Sequence, residues 1–159
     1  MSELIVMLTH NDVTVQDAQE VFESCADLPV KYWGFKDHGL EPAAMKKLVD
    51  TMKAAGKTTF LEVVSYTEEE CMRGAKLGVE CGFDYLLGTL YFDSVYEYVN
   101  TTSMKYCPFV GRVSQTPSIL EGTVEEMLAQ EADFVAKGIY GTDLLGYRYS
   151  GANVNEFCK

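Results

Sequence analysis

The feature that most restricts the fold of this chain is a short apolar segment that recurs about every 27 residues. Six such segments, rich in β-branched and aromatic residues, begin at Leu4, Val30, Thr58, Asp84, Tyr106 and Ile139. Their starts are separated by 26, 28, 26, 22 and 33 residues. Apolar residues at helical spacing fill most of the gaps, for example in residues 14–26 and 42–55. The pattern indicates a strand followed by a helix, repeated along the chain.

The expected helix ends agree with this repeat. Pro42 is suited to the first position of a helix, and Thr67-x-x-Glu70 and Thr123-x-x-Glu126 are capping-box sequences. Three of the predicted helices end at a glycine, which adopts the left-handed conformation of a helix C-terminus most easily. These glycines are Gly56, Gly82 and Gly138.

Strands that alternate with helices form a parallel sheet through right-handed crossovers, which predicts an α/β fold. We expect a TIM-barrel-like (βα)n arrangement with about six of the eight units present; the alternative is an open, doubly wound, flavodoxin-like sheet. Asn153-x-x-Glu156 predicts a helix that begins at residue 154, five residues before the end of the sequence. Residues 1–150 are therefore expected to form one barrel-like domain, and residues 151–159 a truncated sixth helix or a disordered tail.

Charge and cysteine content exclude several classes of function. The formal net charge of −11 argues against binding to nucleic acid or anionic membranes, because phosphate groups need neutralising cations. The sequence contains no apolar run of the roughly 18–20 residues that span a bilayer and no signal peptide at its N-terminus. Its five cysteines are irregularly spaced and contain no C-x-x-C, which favours reduced thiols and a cytoplasmic location.

Alternation along the predicted strands places polar side chains at one end of the sheet. In the segment VKYWGFKDHGL, Lys36 shares a face with Tyr32 and Gly34, and Gly34 is expected to leave room below the lysine. Glu62 occupies the corresponding face of the third strand and Asp143 that of the sixth. In a barrel the carboxyl ends of the strands converge on one opening, so these side chains are predicted to meet there.

The predicted site contains two groups of residues. The candidate catalytic residues are Lys36, Asp37, Glu62 and Asp143, and the candidate substrate-binding residues are His10, His38, Arg112 and Arg148. Lys36 is interpreted as a Schiff-base amine or general base, or as a structural cation paired with Glu62. The arginines suit capture of a phosphate or carboxylate, and Arg112 or Arg148 is also a possible structural partner of Asp143.

No cofactor is predicted. A divalent metal is the alternative, and it would recruit His10, Asp37, His38 and Glu62, whose spacing matches no metal motif. The sequence contains no dinucleotide-binding, Walker, nucleophile-elbow or H-E-x-x-H motif. The tyrosine-rich residues 90–99 are expected to cover the barrel opening or an apolar interface.

Four segments give the chain a family resemblance: WGFKDHG, TTFLEVVS, ECGFDYLLGT and GTDLLGYR. Together they resemble the ribulose-phosphate-binding barrel superfamily, truncated after the sixth unit. The resemblance implies aldolase- or epimerase-like chemistry on a small anionic carbonyl compound or sugar phosphate, through proton transfer next to the carbonyl or C–C cleavage. The alternatives are a non-catalytic truncated barrel and a small-molecule-binding module. A homo-oligomer that completes or covers the open barrel is expected.

Overall fold

The structure, a computed structural model, describes residues 2–151 and residue 157. The elements in chain order are β1 (Ile5–Met7), β2 (Thr9–His10), β3 (Val13–Thr14), α1 (Ala18–Cys25), β4 (Tyr32–Lys36), α2 (Pro42–Ala54), β5 (Thr58–Val63), α3 (Glu68–Cys81), β6 (Tyr85–Gly88), α4 (Asp93–Asn100), β7 (Lys105–Cys107), β8 (Arg112–Ser114), β9 (Ile119–Glu121) and α5 (Val124–Lys137), followed by a 3₁₀ turn at Gly146–Arg148.

The centre of the fold is a parallel sheet of five strands in the order β1-β4-β5-β6-β7. Each strand pairs with the strand of the next βα unit; for example, Lys36 of β4 lies opposite Glu62 of β5. This confirms the predicted α/β fold with a parallel sheet. The strands follow chain order without a reversal, whereas a doubly wound sheet reverses its order at a switch point. The flavodoxin-like alternative is therefore wrong.

The predicted helix ends are confirmed. Pro42 begins α2, and the Thr67 hydroxyl accepts a hydrogen bond from the Glu70 N–H at the start of α3. Thr123 and Glu126 form a reciprocal capping box at the start of α5. The three predicted C-terminal glycines have left-handed backbone angles, with φ of 74° at Gly56, 82° at Gly82 and 83° at Gly138.

One face of the sheet packs against the helices. Trp33 and Phe35 of β4 belong to a buried cluster that also contains residues from β5, from β6 and from each of the four helices α1 to α4. Phe22 of α1 meets Trp33 edge-to-face, with ring centroids 5.1 Å apart. The tyrosine-rich segment was expected to cover the opening or an apolar interface; it forms α4 and buries Val95 and Val99 in this cluster. Its apolar positions are three to four residues apart, a helical spacing that the abundance of tyrosine conceals.

The opposite face of the sheet carries Lys36 and Glu62, as alternation predicts. Gly34, however, leaves no open space beneath Lys36. A Cβ at this position would lie 2.7 Å from Met7 Sδ and 2.8 Å from the Phe60 carbonyl oxygen. Gly34 is therefore needed for close packing between β1 and β5, and the expected space below the lysine is filled.

Three predicted strands end differently from the sequence-based expectation. The first leaves the sheet after Met7, and His10 lies in an antiparallel hairpin of β2 and β3. The fifth ends at Cys107, so Arg112 lies in a second hairpin of β8 and β9. The sixth is reduced to a parallel bridge between Phe109 and Asp143.

Two further expectations concern the remainder of the chain. The helix predicted to begin at residue 154, with its capping residues Asn153 and Glu156, lies outside the described residues. Among the helices of the described part, none has the length and apolar character needed to cross a bilayer.

Candidate active site at the carboxyl ends of the strands

Lys36 is the centre of a charged cluster at the end of β4. Its side chain is only 10% exposed, and its Nζ lies 3.2 Å from Asp12 Oδ1 and 3.6 Å from Glu62 Oε1. Lys36 reaches the Glu62 carboxylate because the register of β4 and β5 places Lys36 and Glu62 opposite each other on the same face of the sheet. A buried ammonium group requires such partners, because removal from water is unfavourable for an isolated charge.

Asp12 is brought to the lysine by the first hairpin. Asn11 and Asp12 form its two-residue turn, with φ of 50° and 61°, as in the type I′ turns that match the twist of hairpin strands. The buried Thr14 hydroxyl donates to the Lys36 carbonyl oxygen at 2.8 Å and accepts from the Lys36 N–H at 2.9 Å. These two hydrogen bonds fix the hairpin across the end of β4 and hold Asp12 above the ammonium group.

Glu62 is more basic than an ordinary glutamate. Burial raises the pKa of its carboxyl group, the charge of Lys36 lowers it, and the nearby Asp12 carboxylate raises it again. The net shift is upward although an ammonium group lies 3.6 Å away. Glu62 is therefore suited to exchange a proton at a higher pH than a solvent-exposed glutamate.

Asp143 lies at the bridge beside β7, near enough for the charges of Glu62 and Lys36 to affect its pKa. The residue is partly accessible, but protein atoms pack closely around its carboxyl group, and this burial raises its pKa to about 7. The charge of Glu62 raises the pKa further, whereas the Gly88 N–H and Lys36 lower it. A carboxyl group with a pKa near neutrality is suited to act as both general acid and general base.

The backbone beside Asp143 is strained. Gly88 and Thr89, at the end of β6, both have left-handed angles, with φ of 73° and 68°. For a β-branched residue such as Thr89 this conformation is unfavourable, and strained positions of this kind cluster at functional sites. The Thr89 hydroxyl lies 2.6 Å from the Tyr106 hydroxyl and is fully buried, which holds the turn in place.

A small cavity of about 60 Å³ opens beside the cluster. It is lined by Asp12, Lys36, Glu62, Val64, Ser118, Leu145 and Arg148. Asp12 comes from the first hairpin, Ser118 from the loop of the second, and Arg148 from the 3₁₀ turn. The Tyr66 hydroxyl anchors that second loop, at 2.7 Å from the Gln115 carbonyl oxygen and 2.8 Å from Ser118 Oγ. The two hairpins and the turn thus form a cover over the ends of the strands.

The structure places three of the eight predicted site residues in the lining of the cavity and a fourth, Asp143, outside that lining. Lys36, Glu62 and Arg148 line the cavity, and the pKa of Asp143 responds to the charges of the first two. Asp37 and His38 instead line a groove against α3, since Asp37 is one residue beyond Lys36 and its side chain takes the helix side of the sheet. The Asp37 carboxyl group is buried there, and burial raises its pKa.

Two other predicted residues lie on the hairpins. His10 is exposed on β2 and is not among the residues that line the cavity. Arg112 is exposed on β8, where its Nη1 pairs with Glu126 Oε2 of α5 at 3.2 Å. Both expectations assumed strands that continue within the sheet, and both strands leave it earlier. Arg112 therefore contributes a surface ion pair rather than an anion site at the opening.

The residues of the metal alternative lie in different places. Asp37 and His38 line the α3 groove, Glu62 lines the cavity, and His10 lines neither. Over residues 2–151 and 157, no three histidine, cysteine or carboxylate side chains are grouped as a metal site requires.

Sequence reasoning missed Asp12, Ser118 and the Gly88-Thr89 turn. The Asn11-Asp12 pair between two β-branched segments is a hairpin signal, although a weaker one than Asn-Gly. The Ser118 loop has no signal that points to the end of β5, because its position depends on a contact with Tyr66, 52 residues away in sequence.

Comparison of the chain with protein-family models, curated proteins and solved structures gives no match.

Proposed function

We propose that this chain is an enzyme that transfers a proton at a carbon next to the carbonyl group of a small anionic substrate, as aldolase- and epimerase-type barrels do. The observation that carries the proposal is the largely buried Lys36–Glu62 pair, whose Nζ and Oε1 lie 3.6 Å apart at the carboxyl ends of β4 and β5. Burial of Asp143 nearby raises the pKa of its carboxyl group to about 7 and supports the assignment. Carboxyl groups with perturbed pKa values next to a fixed cation at the carboxyl ends of parallel strands are the arrangement that such chemistry uses.

In the proposed reaction the Asp143 carboxylate removes the proton from the carbon next to the carbonyl group. The electron pair of the C–H bond moves into the C–C bond, and the carbonyl π electrons move to oxygen to form an enolate. The Lys36 ammonium group donates a hydrogen bond to that oxygen, and Glu62 keeps the ammonium in place. Return of a proton to the same carbon, from Asp143 or from water, restores the carbonyl compound.

The ion pairs of Lys36 support the acid–base role over an imine. With two carboxylates at 3.2 and 3.6 Å, Nζ acts as a donor and has no lone pair for attack on a carbonyl carbon. Arg148 supports an anionic substrate, since its guanidinium lines the same cavity and is suited to bidentate pairing with a carboxylate or phosphate.

We extend the proposal to the fold and assembly. Parallel strands that follow chain order are typical of a (βα) barrel, and the bridge between Phe109 and Asp143 adds the beginning of a sixth strand. Among the described residues β1 pairs with β4 alone and leaves one edge open. A homo-oligomer that covers this edge is proposed, and light scattering after size-exclusion chromatography tests it; a monomer at micromolar concentration contradicts it.

Solvent exchange tests the proton transfer directly. The chain is incubated in D₂O with a panel of small keto acids and keto-sugar phosphates, and deuterium next to the carbonyl is followed by ¹H NMR. We expect exchange that is abolished in Asp143→Asn and reduced about 100-fold or more in Lys36→Met. Arg112→Gln is the matched control, because its arginine lies outside the cluster, and it should exchange at the wild-type rate.

Two outcomes oppose the proposal. Equal exchange in the wild type and in Asp143→Asn would remove Asp143 as the base. Borohydride trapping of a substrate on Lys36, seen by mass mapping, would replace the acid–base role by an imine. A second candidate, a binding module without turnover, is favoured by the small cavity of about 60 Å³, and saturable binding without exchange across the whole panel would support it instead.

A further inference from the structure

A groove of about 780 Å³ lies on the other side of the sheet from the Lys36 cluster. Its lining includes Asp37 at the end of β4, Pro42 at the start of α2, and Met72, Arg73, Lys76 and Leu77 of α3. The proposed reaction uses none of these residues. The apolar part of the lining comes from Pro42, Met72 and Leu77, and the charged part lies on both sides of it.

Asp37 is the unusual member of this lining. Its side chain is 6% exposed, and its Oδ1 is the one buried side-chain oxygen or nitrogen without a hydrogen-bond partner in the described part of the chain. The imidazole of His38 lies beside it, with Nε2 3.4 Å from Oδ1, and is itself 58% exposed. Since buried acceptors are nearly always satisfied, an unsatisfied one indicates a missing donor.

Two cations on the same groove have no ion-pair partner among the described residues. Arg73 and Lys76 are three residues apart on α3 and therefore share a face of the helix. Neither takes part in an ion pair between described residues. Glu69 and Glu80 also line the groove, so that with Asp37 the lining carries three negative and two positive formal charges. A simple anion is therefore not attracted, whereas a ligand with both signs of charge finds a partner for each.

We propose that this groove binds a free amino acid with an apolar side chain. The ligand's ammonium group donates to Asp37 Oδ1, its carboxylate pairs with Arg73 and Lys76, and its side chain packs on Met72, Leu77 and Pro42. Charge-assisted hydrogen bonds of this kind are the strongest available to a buried carboxylate. The site is separate from the proposed catalytic cluster, so binding there is expected whether or not the chain transfers protons.

The test is a titration with L-leucine and four analogues, followed by calorimetry and by protein NMR. Isocaproate lacks the ammonium group, 3-methylbutylamine lacks the carboxylate, 2-hydroxyisocaproate replaces the ammonium by a hydroxyl, and glycine lacks the apolar side chain. We expect each analogue to bind about tenfold or more weakly than leucine, with the NMR shifts concentrated on α3 and the end of β4.

Two variants assign the two ends of the ligand. Asp37→Asn should weaken leucine about tenfold and bring its affinity close to that of isocaproate, while Arg73→Gln should remove the preference for leucine over 3-methylbutylamine. Arg112→Gln removes an exposed arginine outside the groove and should bind leucine like the wild type. The proposal is overturned if leucine shows no saturable binding up to about 10 mM, or if it binds Asp37→Asn and Arg73→Gln as it binds the wild type.

Discussion

Lys36 and Glu62 face each other across two neighbouring parallel strands, and their charged atoms, Nζ and Oε1, lie 3.6 Å apart. Both side chains are largely buried, at 10% and 19% exposure, and Asp12 adds a second carboxylate from above. A pair of this kind contributes little net stability when intact, but the loss of one partner leaves the other charge buried and alone. Because of this asymmetry, the effect of removing one partner on the free energy of unfolding tests the pair without a known substrate.

Lys36→Met should lower the free energy of unfolding by about 3 kcal/mol, because it leaves the Glu62 carboxylate buried without a cation. Urea unfolding followed by circular dichroism measures the change. Glu62→Gln in the Lys36→Met background should recover part of the loss, since it removes the uncompensated charge. Losses that simply add in the double variant would show that the two residues are not coupled.

The stability of the chain should fall as the pH rises from about 4 to about 7, through Asp143. Its folded-state pKa is about 7 and its ordinary value is 3.8, so in this range the folded chain keeps a proton that the unfolded chain has released. The unfolded state thus binds fewer protons, and the free energy of unfolding decreases with pH, by about 4 kcal/mol over the whole window.

Asp143→Asn provides the control for this pH dependence. Glu62 and Asp37 also have raised pKa values and act in the same direction, so the quantity to measure is the difference between wild type and variant at each pH. The difference should grow from pH 4 to pH 7 in favour of the variant. Parallel stability profiles for the two proteins would show that Asp143 titrates as an ordinary aspartate.

Asp37→Asn should stabilise the chain by about 1 kcal/mol, because it removes a buried carboxylate whose Oδ1 has no donor. Asp84→Asn is the matched comparison and should destabilise by a similar amount. Asp84 Oδ2 accepts hydrogen bonds from the Thr59 N–H at 2.8 Å and the Thr59 hydroxyl at 2.9 Å, and its Oδ1 pairs with Lys53 at 2.9 Å. Thermal unfolding of the two variants in parallel would contradict this account if both shift the same way.

Gly39→Ala should destabilise the chain by about 3 kcal/mol or more and loosen the first hairpin. A Cβ on Gly39 would lie 2.2 Å from the Thr14 carbonyl oxygen, and its φ of 105° is unfavourable for any other residue. Gly56→Ala has a similar backbone angle, 74°, but its Cβ meets no atom within 4 Å, so it should cost only about 1 kcal/mol. Equal losses in the two variants would mean that the contact with Thr14 does not restrain the hairpin.

The βα repeat, the helix ends and the cross-strand pair were predictable from the sequence because each depends on local chemistry. Pro42, Thr67 and Gly82 act within one helical turn of their own position, and alternation along β4 and β5 places Lys36 and Glu62 on one face. Asp143 was also predicted to lie with them; it forms a bridge with Phe109 at the sheet edge and is not among the residues that line the cavity.

The rest was decided by contacts between distant parts of the chain. Asp12 reaches Lys36 because Thr14 bonds to the β4 backbone, and Ser118 reaches the cavity because Tyr66 holds its loop. Arg112 and His10 were misplaced because a run of β-branched residues does not show where a strand leaves the sheet. The sequence alone therefore determined which side chains the strands present, since that follows from a period of two residues. Only tertiary packing decided which loops cover them and which buried carboxylate, Asp37, is left without a donor.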